Sequence, residues 1–565
     1  MIGLISATAA GAAARDRLAA AWPDRTRVYD GPVREAVRSA FAECDRLVCF
    51  LATGATVRLL APLLDDKATD PGVVCVDEGG RFAVSLVGGH GGGANELARE
   101  VGALLGAEPV VTTATDAVGL PGLDTLGFPA EGAVAAVSRA LLDGEPVALE
   151  ADFAWPLPPL PFAGAAGSAH VVRLTDRAVG AGPGEVLLRP PSLVVGVGAS
   201  RGVPAEEVIA LVEGALADAG LSAASIAHLA TVDAKADEAG VVEAARHLGV
   251  PLVTYPAGEL AAVEVPNPSG APLAAVGTPS VAEAAALLGG GELLVPKRKS
   301  ERADGTPAMA TCAVVRRPGR GRLAVVGLGP GARDLLTPRA EAELRGAAVL
   351  VGLDQYVDQI RDLLRPGTRV LESGLGAEEE RARTAVAEAR RGRTVALIGS
   401  GDAGVYAMAS PALAEASDDI DVVGVPGVTA ALAAAALLGA PLGHDHVSIS
   451  LSDLHTPWEV IERRVRAAAE ADIVVTFYNP RSRGRDWQLP KALGILAEHR
   501  EPVTPVGVVR NASRPDGTTR VTTLAGLDPA SVDMMTVVTV GNTATRLIAG
   551  RMVTPRGYRW QEETP

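Results

Sequence analysis

The sequence predicts a multidomain α/β protein, on three observations. At 565 residues the chain is far too long for one hydrophobic core, and roughly 100 to 200 residues per domain implies three to five units. Short apolar runs alternate with Ala-, Leu-, Arg- and Glu-rich helical patterns almost throughout, the signature of βα units and mostly parallel sheets. The 64 Gly and 40 Pro exceed average usage without reaching low complexity, so many tight turns are expected.

Taken in chain order, strand-like runs at 47–51 and 73–76 belong to a first domain, 1–125. Asp77-Glu78-Gly79-Gly80-Arg81 follows, then a strand at 82–87 and Gly88-Gly89-His90-Gly91-Gly92-Gly93-Ala94-Asn95. Asn95 is placed to cap a helix from Glu96. Glycines ahead of a helix form an anion-binding concavity in which His90 could activate water or donate to an oxyanion. The plain alternative is a flexible loop with an exposed histidine.

Residues 126–191 are poorly patterned and read as a small middle module or linker, because the prolines between Trp155 and Pro161 remove backbone donors. A third domain, 192–316, opens on a strand at 193–197 that feeds a Gly-containing turn and a helix begun near Pro204. Its Lys235 either binds a substrate carboxylate or makes a surface ion pair with a nearby acid. Arg316-Arg317-Pro318-Gly319-Arg320-Gly321 is the cleanest linker, and the last domain covers 322–562.

That last domain opens on a strand at 322–326 followed by Gly327-Leu328-Gly329-Pro330-Gly331, then a helix with Thr337 as cap and Pro338 at its first position. A dinucleotide site is the rival reading, since Asp354 follows the second strand. Against it, the spacing is not Gly-x-Gly-x-x-Gly, and Pro330 lacks the N–H a pyrophosphate cradle uses. Three more loops follow strands: Gly399 to Tyr406, Pro426-Gly427-Val428-Thr429-Ala430, and Phe477-Tyr478-Asn479-Pro480. If these strand ends converge, they form one cleft suited to a compact ligand held by main-chain contacts.

With 52 basic against 67 acidic residues the formal charge is −15, which excludes broad binding of nucleic acid. A polyanion remains possible where arginines gather in one pocket. Cys44, Cys49, Cys75 and Cys312 form no CxxC pair and have no histidine at zinc-ligand spacing, so neither disulfides nor a metal is expected. No basic region precedes the first apolar stretch, and the most apolar run, near 430–442, falls short of about 18 residues. The reading is a cytoplasmic protein with no signal peptide or membrane span.

The loops at 327–331, 399–406 and 426–430, in this order and each after a strand, resemble those of the tetrapyrrole methylases of corrin and siroheme synthesis. With Ser452-Asp453, Thr456-Pro457-Trp458, Tyr478-Asn479-Pro480-Arg481-Ser482, Gly541-Asn542-Thr543 and Met552-Val553-Thr554-Pro555-Arg556-Gly557-Tyr558, the domain is similar to the precorrin-3B C17-methyltransferases over nearly all of 322–560. The resemblance implies two α/β lobes, S-adenosylmethionine folded in the cleft between them, a tetrapyrrole in an adjoining trough, and a homodimer. It implies cofactor contacts from Gly399, Gly401, Asp402, Ala403, Val405, Tyr406, Thr429, Ala430, Phe477, Tyr478 and Asn542. Gly327, Gly329, Pro330 and Gly331 would shape the substrate side.

The implied reaction methylates C17 of precorrin-3B, or its cobalt form, with contraction of the macrocycle to precorrin-4. Contraction requires loss of a hydroxyl proton, for which Asp402, Asp453 and His455 are candidates as general base. Substrate carboxylates would be met by arginine forks among Arg481, Arg483, Arg485, Arg510, Arg514 and Arg556.

In the N-terminal half, the run from Thr53 to Leu64 with Asp77-Glu78, Gly89-His90, Gly92 to Asn95 and Thr112 to Asp116 resembles the cobalt-precorrin-5A hydrolases. So do Lys235-Ala236-Asp237-Glu238, Val265-Pro266-Asn267-Pro268-Ser269 and Gly277-Thr278-Pro279-Ser280. The turn Ala199-Ser200-Arg201-Gly202 departs from that family's more basic or cysteine-containing pattern. The family opens a lactone on the corrin periphery and releases acetaldehyde. His90, Asp77 or Glu78 and the N–H groups of 91–95 would supply water activation and oxyanion support. Arg58, Asn95 and Lys235 would meet substrate. No Gly-x-Ser-x-Gly elbow is present, so a serine triad is not indicated. The expectation is a bifunctional enzyme of cobalamin biosynthesis; the alternative makes the N-terminal half a non-catalytic module that binds corrin intermediates.

Overall fold

The computed structural model describes residues 1–66, 69–89, 91–164, 167–301, 307–482 and 484–557. The chain forms two compact units, Met1–Gly319 and Arg320–Pro565. The expected domain end at 562 lies outside the described residues.

The first unit holds three sheets. The first runs in the order Thr26–Tyr29, Ile2–Ser6, Arg46–Phe50, Gly72–Val76, Phe82–Val87 and Glu108–Val110. Neighbours are parallel except Gly72–Val76 with Phe82–Val87. Successive side chains point to opposite faces, so Leu4, Val48 and Val74 pack on one side while Ile5, Leu47, Cys49 and Val73 pack on the other. Burial on both faces explains why these strands read as unbroken apolar runs.

The middle stretch folds, despite its weak pattern, into a sheet ordered Ala130–Gly132, Glu185–Leu188, His170–Leu174 and Val147–Ala151. Helix Val134–Asp143 covers it, with Val137, Leu141, Val147, Val172 and Leu188 in the core. Strands of three to five residues are too short for alternation to register in the sequence.

The third sheet is ordered Leu252–Tyr255, Ile226–Val232, Leu193–Ala199, Ala310–Arg316 and Glu292–Lys299. Gly196 lies directly under helix Val281–Leu287, where a Cβ would sit 1.9 Å from the Ala282 carbonyl oxygen. Arg316 reaches the fully buried Asp176 through Nε at 2.6 Å and Nη2 at 2.8 Å, a bidentate pair between the third sheet's end and the middle segment.

The second unit has two lobes. The first is a parallel sheet ordered Arg369–Ser373, Val349–Leu353, Thr394–Gly399, Arg322–Gly327 and Asp421–Val425. Its helix Pro338–Gly346 begins as the sequence predicts, with the Thr337 hydroxyl accepting the Ala340 N–H at 3.2 Å.

Helix Ala430–Leu438 leads into the second lobe and packs on Val509 and Val537. That lobe's sheet is ordered His446–Ser450, Val474–Tyr478, Thr536–Val540, Pro505–Arg510 and Thr518–Thr523. Only its first pair is parallel. A small sheet of Gly439–Ala440, Arg551–Val553 and Arg546–Ile548 completes the unit. Among the described residues, no helix is long and apolar enough to cross a membrane.

Candidate active site

All five strands of the first lobe are parallel, so their carboxyl ends share one edge, where open α/β sheets bind ligands. Three glycine loops meet there. Gly329 and Gly401 exchange backbone hydrogen bonds at 3.0 and 2.7 Å, and Leu328 N–H donates to the Gly399 carbonyl at 2.9 Å. A Cβ on Gly427 would stand 2.2 Å from the Gly401 oxygen, and one on Gly327 would stand 2.8 Å from the Gly427 nitrogen. The loops therefore approach as bare backbone, and only glycine fits. Above Gly399 the space is open, with Ala407 Cβ at 3.7 Å, and Gly401 faces Thr429 and Ala430 at 3.6 Å.

Asp402 ties this junction together. One carboxylate oxygen accepts the Gly404 N–H at 2.8 Å and the other accepts the Gly427 N–H at 3.0 Å. In this position Asp402 holds the second and third loops in register.

Two tyrosines, Tyr478 of the second lobe and Tyr406 of the first, close the group. The Tyr478 hydroxyl lies 2.5 Å from the Thr429 hydroxyl and accepts the Ala431 N–H at 2.8 Å, satisfying one of the free donors at the start of helix Ala430–Leu438. Tyr406 adopts a left-handed backbone (φ 52°), donates to the Ser448 carbonyl at 2.8 Å, and sets its ring 5.3 Å from that of Tyr478. Burial of its phenol pushes its pKa up. Ala403 is buried in the first-lobe core and Val405 is half-buried. The Phe477 side chain is fully buried in the second-lobe core, so it is the backbone of this expected contact residue that borders the site.

Asn542 and Arg556 are also corrected, because they lie at the other end of the lobe. Strand Thr536–Val540 runs antiparallel to Val474–Tyr478, pairing Phe477 with Val538 and Val475 with Val540. Residues after Val540 therefore leave the edge remote from Tyr478. There the Asn542 amide donates to the Asp472 carbonyl at 3.1 Å. Nearby Arg500, pushed down to about 10 by burial, donates to the carbonyls of Ile473 and Gly541 at 2.6 Å each. Exposed Arg556 follows strand Arg551–Val553, which pairs with Gly439–Ala440 beyond the far end of helix Ala430–Leu438.

The remaining described candidates fall on the Tyr478 edge. Asp453 accepts from Gln488 Nε2 at 3.0 Å, and His455 is exposed. Arg485 donates to the carbonyls of Leu451 and Asn479 at 3.0 and 2.6 Å, and Arg481 to that of Ala530 at 2.7 Å. Arg510 pairs with Asp533 at 2.7 Å. Arg514 donates through Nε to the Pro330 carbonyl at 3.0 Å, bringing the second lobe onto the first loop. Arg483 lies outside the described residues.

In the first unit, His90 lies outside the described residues. Asp77 is the turn residue between two antiparallel strands: Oδ1 accepts the N–H groups of Arg81 and Phe82 at 2.7 Å each. Burial pushes its carboxyl up, but the hydrogen bonds from Phe82, Arg81 and Gly79 outweigh this and hold it below the usual range. Oδ1 is thus committed to the turn and Oδ2 takes the longer contacts from Gly79 N–H at 3.3 Å and Arg81 Nε at 3.4 Å, which counts against Asp77 as the base. Glu78 instead reaches out to accept the Thr8 hydroxyl at 2.6 Å.

Asn95 is not a helix cap. The helix is Ala94–Leu105, Gly93 caps it with φ 70°, and the buried Asn95 amide bonds Ser85 at 2.6 Å and Thr113 at 3.1 Å. The Ala94 and Asn95 N–H groups donate to Gly88 and Gly89 carbonyls, so they are not free for an oxyanion. Lys235 pairs with Glu238 at 2.9 Å, and exposed Arg58 turns back to the Gly54 carbonyl at 2.8 Å.

Residues 322–528 match the model of the tetrapyrrole (corrin/porphyrin) methylases. The chain is 46% identical over 239 residues to a probable cobalt-factor III C(17)-methyltransferase of Salmonella typhimurium, covering 42% of this chain and 99% of that protein. The chain belongs to the tetrapyrrole methylases. Residues 35–116 match the cobalamin synthesis G N-terminal model and 193–315 the cobalamin synthesis G C-terminus, so the methylase is fused to both.

A precorrin-3B C(17)-methyltransferase of Sinorhizobium is 41% identical over 250 residues, covering 42% of this chain and 97% of that protein. The chain spans 46% and 48% of the length of two other curated relatives. Among solved structures, that of the methyltransferase CobJ is 40% identical, covers 42% of this chain and 100% of that one, and has a TM-score of 0.40.

Within the methylase unit one loop escaped the sequence reading. Asn511 and Ser513 both take left-handed backbones (φ 48° and 61°), and Ala512 between them packs in the cluster with Ala433, Ala434 and Val428. Such strain in non-glycine residues marks a loop held in place by its surroundings. Here the Asn511 amide donates to Asp516 at 2.6 Å and the Asn511 N–H to the Met535 carbonyl at 2.9 Å. Pro515-Asp516-Gly517 signals a turn here, but not the left-handed backbones of the two residues before it.

Proposed function

We propose that the methylase unit transfers a methyl group from S-adenosylmethionine to C17 of precorrin-3B or its cobalt counterpart, with contraction of the macrocycle, and works as a homodimer in the cytoplasm. The observation that carries this reading is the meeting of Gly327, Gly401 and Gly427 beside Thr429 and Tyr478. That cradle fits the cofactor: open space lies over Gly399, the walls are mostly uncharged main chain, and Tyr406 and Tyr478 offer π faces.

The bound cofactor would supply an already activated methyl on a sulfonium. The chain's own residues then align and exclude water. Gly399, Gly401, Ala403, Val405, Thr429 and Ala430 present main chain, and Asp402 fixes their spacing. Gly327, Gly329, Pro330 and Gly331 border the substrate, with Arg481 and Arg514 for its carboxylates. Asp453 is the base for the hydroxyl proton: Gln488 steadies one oxygen, and the other has no partner among the described residues.

We further read domains at 1–125, 126–191, 192–316 and 322–562, with the first three opening the lactone of cobalt-precorrin-5A and releasing acetaldehyde. Glu78 is then the water-activating carboxylate. The commitment of Asp77 and of the Asn95 N–H favours a second reading, in which this half binds corrin intermediates without catalysis.

Full-length protein with labelled S-adenosylmethionine and each substrate form tests both. One added methyl in the product and free acetaldehyde are expected. A product without the label removes the methyltransferase reading; full methylation with no acetaldehyde from authentic lactone leaves the binding module.

A further inference from the structure

Helix Asp354–Ile360 follows the second strand of the methylase unit, and its Tyr356 packs half-buried against the first-lobe core. Ser400, in the loop that also carries Gly399 and Gly401, stands close enough to its phenol to act on it. Tyr356 therefore stands at the carboxyl edge of the sheet.

Arg514 arrives from the opposite lobe. Its Nε is spent on the Pro330 carbonyl at 3.0 Å, and Gly331 (φ 130°) leaves it room, since a Cβ there would sit 2.7 Å from that nitrogen. Neither Nη of Arg514 has a partner among the described residues, although the residue is half-buried. Most arginines around the site are committed, as Arg381 is to Ser373, Gly374 and Glu378. Arg514 is close enough to Tyr356 to act on its phenol electrostatically.

We infer that the open edge of Arg514, with the hydroxyls of Tyr356 and Ser400, forms a carboxylate-binding subsite at the edge of the methylase cleft. A guanidinium with one edge fixed presents its other donors in a preset fork, the geometry a carboxylate accepts. The phenol supports it: burial pushes its pKa up, while Arg514, Arg381 and Ser400 pull the other way, so it stays protonated as a donor at neutral pH. Two carboxylates have this chemistry, the amino-acid end of the methyl donor and a side-chain acid of the tetrapyrrole. The inference rests on the methylase reading.

Calorimetry on the full chain with three probes separates the cases: S-adenosylhomocysteine, its decarboxylated analogue, and an octacarboxylic porphyrin. Arg514→Gln and Tyr356→Phe are compared with wild type at equal melting temperature, with Arg514→Lys as the milder variant should Gln not fold. If the subsite takes the donor, affinity for S-adenosylhomocysteine falls about tenfold or more in both variants, and the decarboxylated analogue binds all proteins alike. If it takes the macrocycle, only porphyrin binding falls by that factor. Unchanged affinity for all probes in folded variants overturns the subsite while leaving the methylase reading intact. Wild type that binds neither ligand overturns both.

Discussion

The Tyr478 hydroxyl accepts the Ala431 N–H at 2.8 Å, so an aromatic side chain at a strand end fixes the first turn of the helix that leaves the glycine junction. Tyr478→Phe removes this acceptor. It should cost about 1 kcal/mol of stability, as loss of a helix cap does, and weaken S-adenosylhomocysteine binding by calorimetry. Wild-type affinity in the variant would show that the hydroxyl has no part in shaping the cradle.

Gly427→Ala tests the junction itself. The new methyl would lie 2.2 Å from the Gly401 oxygen, so the backbone must move apart. Destabilisation of about 1 to 3 kcal/mol is expected, with loss of methyl transfer. Gly401→Val should block cofactor binding in a protein that still folds, because a branched residue resists φ 67° and fills the space beside Thr429.

Asp402→Asn replaces a double acceptor by one acceptor and one donor. The amide then faces either Gly404 or Gly427 N–H without a lone pair. KM for the methyl donor should rise with kcat less affected. A fall in kcat alone, with a shifted pH profile, would instead return Asp402 to the role of base.

Glu78 lies in the first compact unit and the methylase residues in the second, so Glu78→Gln should slow acetaldehyde release and leave methylation untouched. Equal release rates would retire Glu78.

Asp77 gives a pH test. Its carboxyl is held below the ordinary value of about 4, so its stabilisation is full at neutral pH, declines below that value, and vanishes once the folded carboxyl is protonated. Melting temperatures of wild type and Asp77→Asn should converge as pH falls from 7 toward 3. A gap independent of pH would mean the turn does not depend on the charge.

The loops at 327–331, 399–406 and 426–430 were legible because glycine and proline after an apolar run announce a backbone that must approach something closely. Thr337 and Pro338 announced a helix start for equally local reasons. Strand direction is not local. The family resemblance puts Asn542 at the cleft, yet the antiparallel course of Thr536–Val540 carries it to the opposite edge. Asn511 and Ser513 hid for another reason: Pro515-Asp516-Gly517 announces a turn, but the left-handed backbones before it depend on the Asp516 and Met535 contacts that the fold brings together. Asn95 reads as a cap by residue type, but its amide is worth more buried between Ser85 and Thr113.

Asp176 has no exposure to solvent, and its charge is matched by Arg316, at the end of the last strand of the third sheet. Any attempt to separate the two halves must respect that. A fragment stopped a few residues short of Arg316 would strand a carboxylate in the interior, a fault of several kcal/mol. One stopped at Gly319 keeps the pair, so the position of a protease cut between 310 and 320 should decide whether the N-terminal piece survives.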